Sequence, residues 1–342
     1  MPQAQATAAQ GASFPTPERI MQYVNGHWAT VTLATAVQYS VFTRIEAGAT
    51  TAAALADAAK IAPRGAQALL DALVGLGLLT LSNGGYANTP EASFYLVEGK
   101  PAYMGGWSAR LFGPDGDLDV WSRLPGAVRH GGPERRFEAA ENPFWEKLVV
   151  ALAPGTWPLA QQAAARLDFA SLGEARLLDV GGGGGVYSAV LLGTNPRARS
   201  TQVDWANVNR IARDYLTRFG VADRFETRDG DFHAVDFGQA VYDVAIYAHI
   251  AHGEGPQENV ATFRRLKRAL KPGGTLMVVD FVVDEDRSGP PFPLLFHLQM
   301  LLMTPAGATW RESDYRSWLA EAGFASVTIE PTPTPASLIF AR

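Results

Sequence analysis

The chain has no cysteine. Disulfide bridges, cysteine-ligated zinc and a thiol nucleophile are excluded at once, and a reducing, cytoplasmic setting is the simplest expectation. Charge is also scarce. Only 18% of the 342 residues are Asp, Glu, Lys or Arg, and the net balance is −5. No general affinity for nucleic acid is expected, because displacing counterions from phosphates needs a basic face. Long apolar runs are missing too. No window approaches the ~18 uninterrupted apolar residues of a membrane span, so no membrane partner is expected. Residues 1–13 contain neither Lys nor Arg. They lack the basic start and apolar stretch of a signal peptide and read as a disordered tail.

Core-forming material is plentiful, with 47% apolar residues. The length exceeds the usual single-core size and predicts two domains. In residues 17–47, Ile20, Val24, Trp28 and Leu33 recur at helical spacing behind Pro17. Thr50 or Thr51 then caps a short helix through Lys60, and Pro63 opens another that runs toward Leu78. "LLTLSNGGYANT" reads as a hairpin turning at Asn83-Gly84-Gly85. Helix, turn, helix, hairpin is a winged-helix layout, assigned here to a domain of residues 14–100. Residues 101–165 read as a helical linker, irregular at the Gly/Pro-rich stretches 113–116, 125–133 and 153–158. Their aromatics, Trp107, Phe112, Trp121, Phe137, Phe144, Trp145 and Trp157, suit packing or the roof of an apolar pocket.

From 166 to 342 strands alternate with helices, which predicts an α/β, doubly wound parallel sheet. "ARLLDV", "ARSTQVD", "RFETRDGD", "YDVAIYAHIA" and "TLMVVDFVV" are the strands. A helix over 257–270 is expected to stop at Pro272-Gly273-Gly274. "SVTIE" and "ASLIFA" would add antiparallel strands at the sheet edge.

The first strand runs into Asp179-Val180 and then five glycines, Gly181–Gly185. A glycine-rich turn from strand to helix is where ligands meet free N–H groups. Spacing narrows the ligand. A dinucleotide fingerprint requires G-x-G-x-x-G, but counting five on from Gly181 or Gly182 gives Val186 or Tyr187. No G-K-[ST] follows, so a P-loop is excluded. The pattern acid-x-G-x-G-x-G fits instead, through Asp179, Gly181, Gly183 and Gly185. Asp204 closes the second strand, where a carboxylate can accept from both hydroxyls of a ribose or can cap the next helix. Asp231, in "GDF", can accept from an adenine amino group while Phe232 covers the ring.

"LLDVGGGGG", "GDF", "LKPGG" and "VVDFVV" stand in the order and spacing of a known family. With the winged-helix-like start, the chain resembles the class I S-adenosylmethionine-dependent methyltransferases. More narrowly it resembles the two-domain small-molecule O-methyltransferases of the caffeate/acetylserotonin type and of bacterial polyketide and pigment biosynthesis. The resemblance covers nearly the whole chain. It implies a homodimer made by the N-terminal domain, which also helps close the acceptor pocket. It implies S-adenosyl-L-methionine as cofactor and S-adenosyl-L-homocysteine as product. Asp179 and Gly181, Gly182 and Gly183 would face the methionine part, Asp204 and Trp205 the ribose, and Asp231 and Phe232 the adenine, with Tyr247 nearby.

The family's base is the His of a His-Asp-Trp motif. Here the stretch is His249-Ile250-Ala251-His252-Gly253-Glu254, so His252 holds the base position with Gly and Glu behind it. The acid that orients it falls on Asp280, and the family's second acid is missing from Ala306–Trp310. His297, in "LLFHLQMLLM", is a second candidate base, and Tyr247 a third. His249, Met300, Met303 and Trp107 are candidates for the acceptor pocket. His249 and His252 are three apart, half a metal site, but no third ligand is evident and no metal is expected.

The expected activity is methyl transfer to a hydroxyl of a small, largely apolar aromatic, polyketide-like or pigment-like acceptor in secondary metabolism. C- or N-methylation, or a family member with a non-methylating activity, remains open. A winged-helix DNA-binding regulator is a remote alternative, since Arg64 is the only basic residue in the second helix of that motif. A nicotinamide oxidoreductase is disfavoured by the failed fingerprint.

Overall fold

The computed structural model describes residues 15–113, 116–135 and 140–342. The expected tail over 1–13, and Phe137, lie outside them. The chain divides into two compact units, residues 1–98 and 99–342.

The first unit begins with α1 (Glu18–Gln38) and α2 (Val41–Glu46), followed by α3 (Ala52–Ala59) and α4 (Pro63–Gly75). Thr51 caps α3, its hydroxyl accepting from the Ala54 N–H at 3.2 Å. Pro63 opens α4, where its missing N–H costs no bond. α4 stops at Gly75, short of the expected Leu78, because Gly77 turns left-handed with φ of 71°. β1 (Leu79–Ser82) and β2 (Gly85–Asn88) form the hairpin, with positive φ at both Asn83 and Gly84. α5 (Pro90–Tyr95) follows. Phe42, Leu55, Leu70, Leu73 and Leu79 fill this unit's core. In contrast, Ile20, Tyr23, Val24 and Trp28 of α1 are each more than half exposed.

The second unit starts with the short α6 (Asp117–Ser122) and α7 (Leu124–His130), then the long α8 (Pro143–Arg166). α8 runs unbroken through Pro154 and Pro158, where the sequence suggested an irregular stretch. Burial of Ala151, Ala153, Leu159, Ala160 and Ala163 favours the helix through both prolines, tertiary packing overriding local propensity. Residues 99–165 therefore belong with the α/β unit rather than forming a separate linker.

Next come β3 (Arg176–Val180), α9 (Val186–Thr194), β4 (Arg199–Asp204), α10 (Ala206–Arg218), β5 (Phe225–Asp229), β6 (Tyr242–Ala248), α11 (Pro256–Ala269) and β7 (Leu270–Asp280). β8 (Val282–Val283), α12 (Pro291–Met303), β9 (Trp310–Arg311), α13 (Glu312–Glu321), β10 (Val327–Pro331) and β11 (Ser337–Ala341) complete the chain. The main sheet has seven strands in the order β10-β11-β7-β6-β3-β4-β5. β5, β4, β3, β6 and β7 are parallel, while β11 is antiparallel to β7 and β10 to β11. This is the Rossmann-like doubly wound sheet with an antiparallel edge.

Two details depart from the sequence pattern. Pro272-Gly273-Gly274 lies inside β7, which begins straight after α11 at Leu270. The run "TLMVVDFVV" breaks at Phe281, leaving β8 to pair with β9 away from the main sheet. Side chains alternate across the sheet. Leu177, Val244, Ile246, Met277 and Val279 face one core layer with α9. Leu178, Val180, Tyr247, Leu276 and Val278 face the other, with Phe263 of α11 and Tyr315 of α13.

Candidate active site

β3 lies between β4 and β6, so chain order reverses on its two sides. The crevice beyond its end is where open parallel sheets bind ligands. Gly181, Gly183 and Gly185 have φ of 63°, 56° and 75°, a left-handed setting that glycine adopts without penalty. At Gly182 the limit is space. A Cβ there would stand 2.5 Å from Gln202 Oε1 and 2.8 Å from Asp179 Cγ. The loop is packed under α8, for a Cβ on Gly183 would lie 3.2 Å from Val149.

Two carboxyl groups flank this loop. Asp179 is fully buried. Its Oδ2 accepts from the Ser188 hydroxyl at 2.7 Å, and its Oδ1 has no partner. Burial, partly offset by Ser188, pushes this carboxyl up to about 6. Asp204 Oδ2 accepts from the Gly183 N–H at 2.9 Å, and Oδ1 from the Trp205 N–H at 2.7 Å. Burial, against these two bonds, pushes it up to about 7. An unpaired acceptor, a second carboxyl with spare lone pairs and a backbone cradle without room for a Cβ suit a ligand carrying an ammonium group and vicinal hydroxyls. S-adenosylmethionine has both.

Beyond β5, Asp231 Oδ1 accepts from the His233 backbone N–H at 2.9 Å and from its Nδ1 at 2.7 Å. His233 Nε2 is 3.3 Å from Glu254 Oε2. The bond to Glu254, with help from Asp231 and against burial, holds His233 up at about 9. A protonated His233 thus bridges the "GDF" turn and the loop that carries His252. The sequence pattern gives no hint of this bridge, because Glu254 lies on a different segment from Asp231 and His233. The Phe232 ring is partly buried, 4.1 Å from the His233 ring centre.

Tyr247 requires a correction. It is fully buried, its ring 5.9 Å from that of Phe263. Alternation along β6 turns it into the core, and burial drives its phenol well above 10. It lines no crevice and cannot serve as a base in this form.

His252 sits on a short 3₁₀ turn after β6, at 12% side-chain exposure. The turn is held from several sides. Asn259 Nδ2 donates to the Ala251 carbonyl at 2.9 Å, Trp310 Nε1 donates to the same carbonyl at 3.2 Å, and the Ala308 N–H donates to the His252 carbonyl at 2.9 Å. Asp280, the last residue of β7, is fully buried. Its Oδ1 is 2.6 Å from His252 Nδ1 and 2.8 Å from the Phe281 N–H, while Oδ2 accepts from the His252 N–H at 2.9 Å. Burial raises this carboxyl, but His252, His249 and the Phe281 N–H outweigh it and hold it below the usual carboxylate range. An ionised Asp280 only accepts, so Nδ1 of His252 carries the shared proton and Nε2 is the ring nitrogen not engaged by Asp280.

Around this pair stands an aromatic wall that periodicity alone does not assign. Phe281 stacks on His252 at 5.7 Å, and Phe296 meets it edge-on at 4.9 Å. Phe292 and Phe296 are one turn apart on α12, the only sequence signal for this wall. His249 faces the same Phe281 ring at 5.2 Å. Burial pulls its imidazole down to about 4. One ligand atom from each of His249, His252 and Asp280 lies within 4.8 Å of the others. Asp280 is thus the third group that looked absent from the sequence.

The remaining candidates are scattered. His297 Nδ1 is 3.4 Å from the hydroxyl of the fully buried Thr309, so the stretch lacking the family's second acid meets His297 through Thr309. Burial, with Arg287, lowers its imidazole. Met300 of α12 is buried, and the Met303 sulfur accepts from the Gln299 amide. Trp107 is 40% exposed, with the Arg110 guanidinium 5.2 Å from its ring. That contact lies with Arg110, not with the histidine cluster. No described helix is long and apolar enough to cross a membrane.

Comparison with known proteins agrees with this geometry. Residues 121–325 match the O-methyltransferase domain, and residues 21–98 the O-methyltransferase dimerisation domain. The chain is 32% identical to 3-hydroxy-5-methyl-1-naphthoate 3-O-methyltransferase of Streptomyces sahachiroi, over 91% of this chain and 90% of that one. It is 30% identical to the tetracenomycin polyketide synthesis 8-O-methyltransferase of Streptomyces glaucescens, over 95% and 96%. A solved candidate O-methyltransferase of Nostoc punctiforme superposes with a TM-score of 0.88 at 29% identity, covering 96% of this chain and 99% of that one. With the domain matched over more than half its length and a glycine cradle suited to the cofactor, the chain belongs to the O-methyltransferase family and is an S-adenosylmethionine-dependent methyltransferase.

Proposed function

We propose that this enzyme methylates a hydroxyl of a small, largely apolar aromatic acceptor of polyketide type, with His252 as general base and Asp280 as the group that orients it. The observation that supports the reading is the His252–Asp280 pair, which commits Nδ1 to the carboxylate and leaves Nε2 of the neutral ring to take a proton, with Phe281 and Phe296 packed against the imidazole. Those rings supply apolar walls for a planar acceptor. The naphthoate and tetracenomycin relatives act on acceptors of this kind. His297 is the second proton-handling group, with Thr309 as its partner.

When bound, S-adenosylmethionine supplies an electrophilic methyl on a sulfonium. Asp179 and Gly181–Gly183 would hold its methionine part, Asp204 and Trp205 its ribose, and Asp231 and Phe232 its adenine. A phenol with pKa ~10 is mostly protonated at neutral pH, so a neutral imidazole removing that proton raises the reactive fraction. The exposed stripe of Ile20, Tyr23, Val24 and Trp28 on α1 supports a homodimer through the N-terminal domain.

The test is incubation with S-adenosylmethionine and a panel of hydroxylated naphthalenes and anthracenes, read by mass spectrometry and NMR. New methoxy signals are expected. Products methylated only at carbon or nitrogen, or cofactor binding without any methylated product across the panel, would overturn the hydroxyl assignment.

A further inference from the structure

We infer that His249 is a second acceptor-binding imidazole, and that with His252 it selects an aromatic hydroxyl that stands next to a carbonyl oxygen. The inference deepens the proposed function and rests on it. Its first support is backbone geometry. His249 has φ of 58°, a left-handed conformation that is uncommon for a non-glycine residue and gathers at functional positions. It is held in place by the bond from the His249 N–H to the Val279 carbonyl at 2.8 Å.

The second support is the hydrogen-bond inventory. In its neutral form His252 presents an acceptor, Nε2, because Nδ1–H is committed to Asp280. His249 is neutral and therefore always carries one N–H, and among the described residues neither of its ring nitrogens has a hydrogen-bond partner. The cluster thus offers one acceptor and one donor, on two rings with centres 6.3 Å apart, both against Phe281. A hydroxyl donating to His252 beside an oxygen accepting from His249 satisfies both. The ortho-hydroxy ketone and the peri-hydroxyquinone are aromatic groupings that carry such a pair. A lone phenol satisfies one nitrogen and leaves the other desolvated without a partner, which penalises it.

The same three residues could be read as a cation site, and the bonds at Asp280 argue against that. Both of its oxygens already accept from N–H groups, three in all, and the residue has no exposed surface. Binding a metal through it would break the bonds that fix His252. Two imidazoles alone fall short of the usual ligand set for zinc or iron.

The test measures binding to the full-length protein loaded with S-adenosylhomocysteine, by calorimetry and without turnover, using 1-naphthol and 2-acetyl-1-naphthol as probes. The hydroxy-ketone is expected to bind at least tenfold more tightly. His249→Gly removes the donor while accepting the backbone conformation, and should bring the ratio to within about twofold. His249→Asn keeps an N–H donor and tolerates positive φ, and should retain most of the preference. Circular dichroism melting confirms that each variant is folded. Equal affinities in the wild-type protein, no binding of either probe, or a ratio unmoved by His249→Gly would overturn the inference. So would stoichiometric micromolar Co²⁺ binding, seen as visible absorption bands that both His249→Gly and His252→Ala abolish. Loss of methyl transfer with the binding ratio intact would count against the proposed reaction and leave this inference standing.

Discussion

His252 and Asp280 are joined twice, once through the ring Nδ1 at 2.6 Å and once through the backbone N–H at 2.9 Å. The carboxylate therefore fixes both the tautomer of the imidazole and the turn on which it rides. Truncating either residue tests different parts of that arrangement. His252→Ala is expected to lower single-turnover methyl transfer by roughly a hundredfold or more, the usual contribution of a positioned base. The loss should shrink at high pH, where the acceptor ionises unaided. Asp280→Asn should lower the rate by a similar order, since an amide no longer selects the Nδ1–H tautomer. Rates within about threefold of wild type for both would leave catalysis to positioning alone.

Asp204 gives a prediction with a defined pH window. Its carboxyl is about 7 in the fold against 3.8 for the free group, because burial disfavours the charged form. The folded protein therefore binds this proton more tightly than the unfolded chain. The resulting destabilisation is absent below about 4, grows as pH rises to 7, and stays constant above it. Ribose hydroxyls prefer the ionised carboxylate, so S-adenosylhomocysteine affinity should weaken as pH falls below 7. Asp204→Asn should bind more weakly and lose that dependence, and Asp204→Ala should lose several-fold to a hundredfold at pH 8. Calorimetry across pH 5.5–8.5 is the measurement; a flat wild-type profile would remove Asp204 from the ribose contact.

Gly182→Ala adds only a methyl group, but that carbon would stand 2.5 Å from Gln202 Oε1 and 2.8 Å from Asp179 Cγ. Gln202 is tied by its amide to the Gly183 carbonyl and Asn209, so it has little freedom to retreat. A stability loss of about 1–3 kcal/mol is expected, the range for overpacking a filled site. Urea denaturation checks it, and cofactor affinity should fall in the same variant.

Val24 and Trp28 are one turn apart on α1, at 57% and 62% exposure. If they form part of a self-association face, Val24→Glu with Trp28→Glu should convert a dimer to a monomer in light scattering at tens of micromolar. A wild-type monomer at that concentration would dismiss the homodimer.

The sheet, its order of strands and the glycine turn were legible because strand-to-helix alternation and glycine spacing are local signals. Other features carry no local signal of that kind. The resemblance puts Tyr247 near the cofactor, and a strand buried on both faces lacks the polar alternation that would reveal its side chain turning into the core. Asp280 could be placed beside His252 by family pattern, yet its closeness to His249 depends on the left-handed turn at His249, which no propensity announces. The bridge from Asp231 through His233 to Glu254 joins residues from different connections of the sheet. Only tertiary structure reveals it. The unbroken course of α8 through two prolines is of the same kind, a consequence of packing rather than of local sequence.

The break at Phe281 has an evolutionary consequence. β8 and β9 pair with each other and not with the main sheet, so residues 284–309 form an excursion pinned at its base by a two-residue clasp, Val282 to Trp310 and Val283 to Arg311. An insertion or deletion inside the excursion leaves the strand register of β7 and β11 untouched. α12, with Phe292, Phe296, His297 and Met300, can thus drift or be exchanged as a cassette while the cofactor cradle on β3 and β4 stays the same. Swapping this cassette between relatives is expected to change which acceptors are methylated while S-adenosylhomocysteine affinity stays constant, a pairing that product analysis and calorimetry can check.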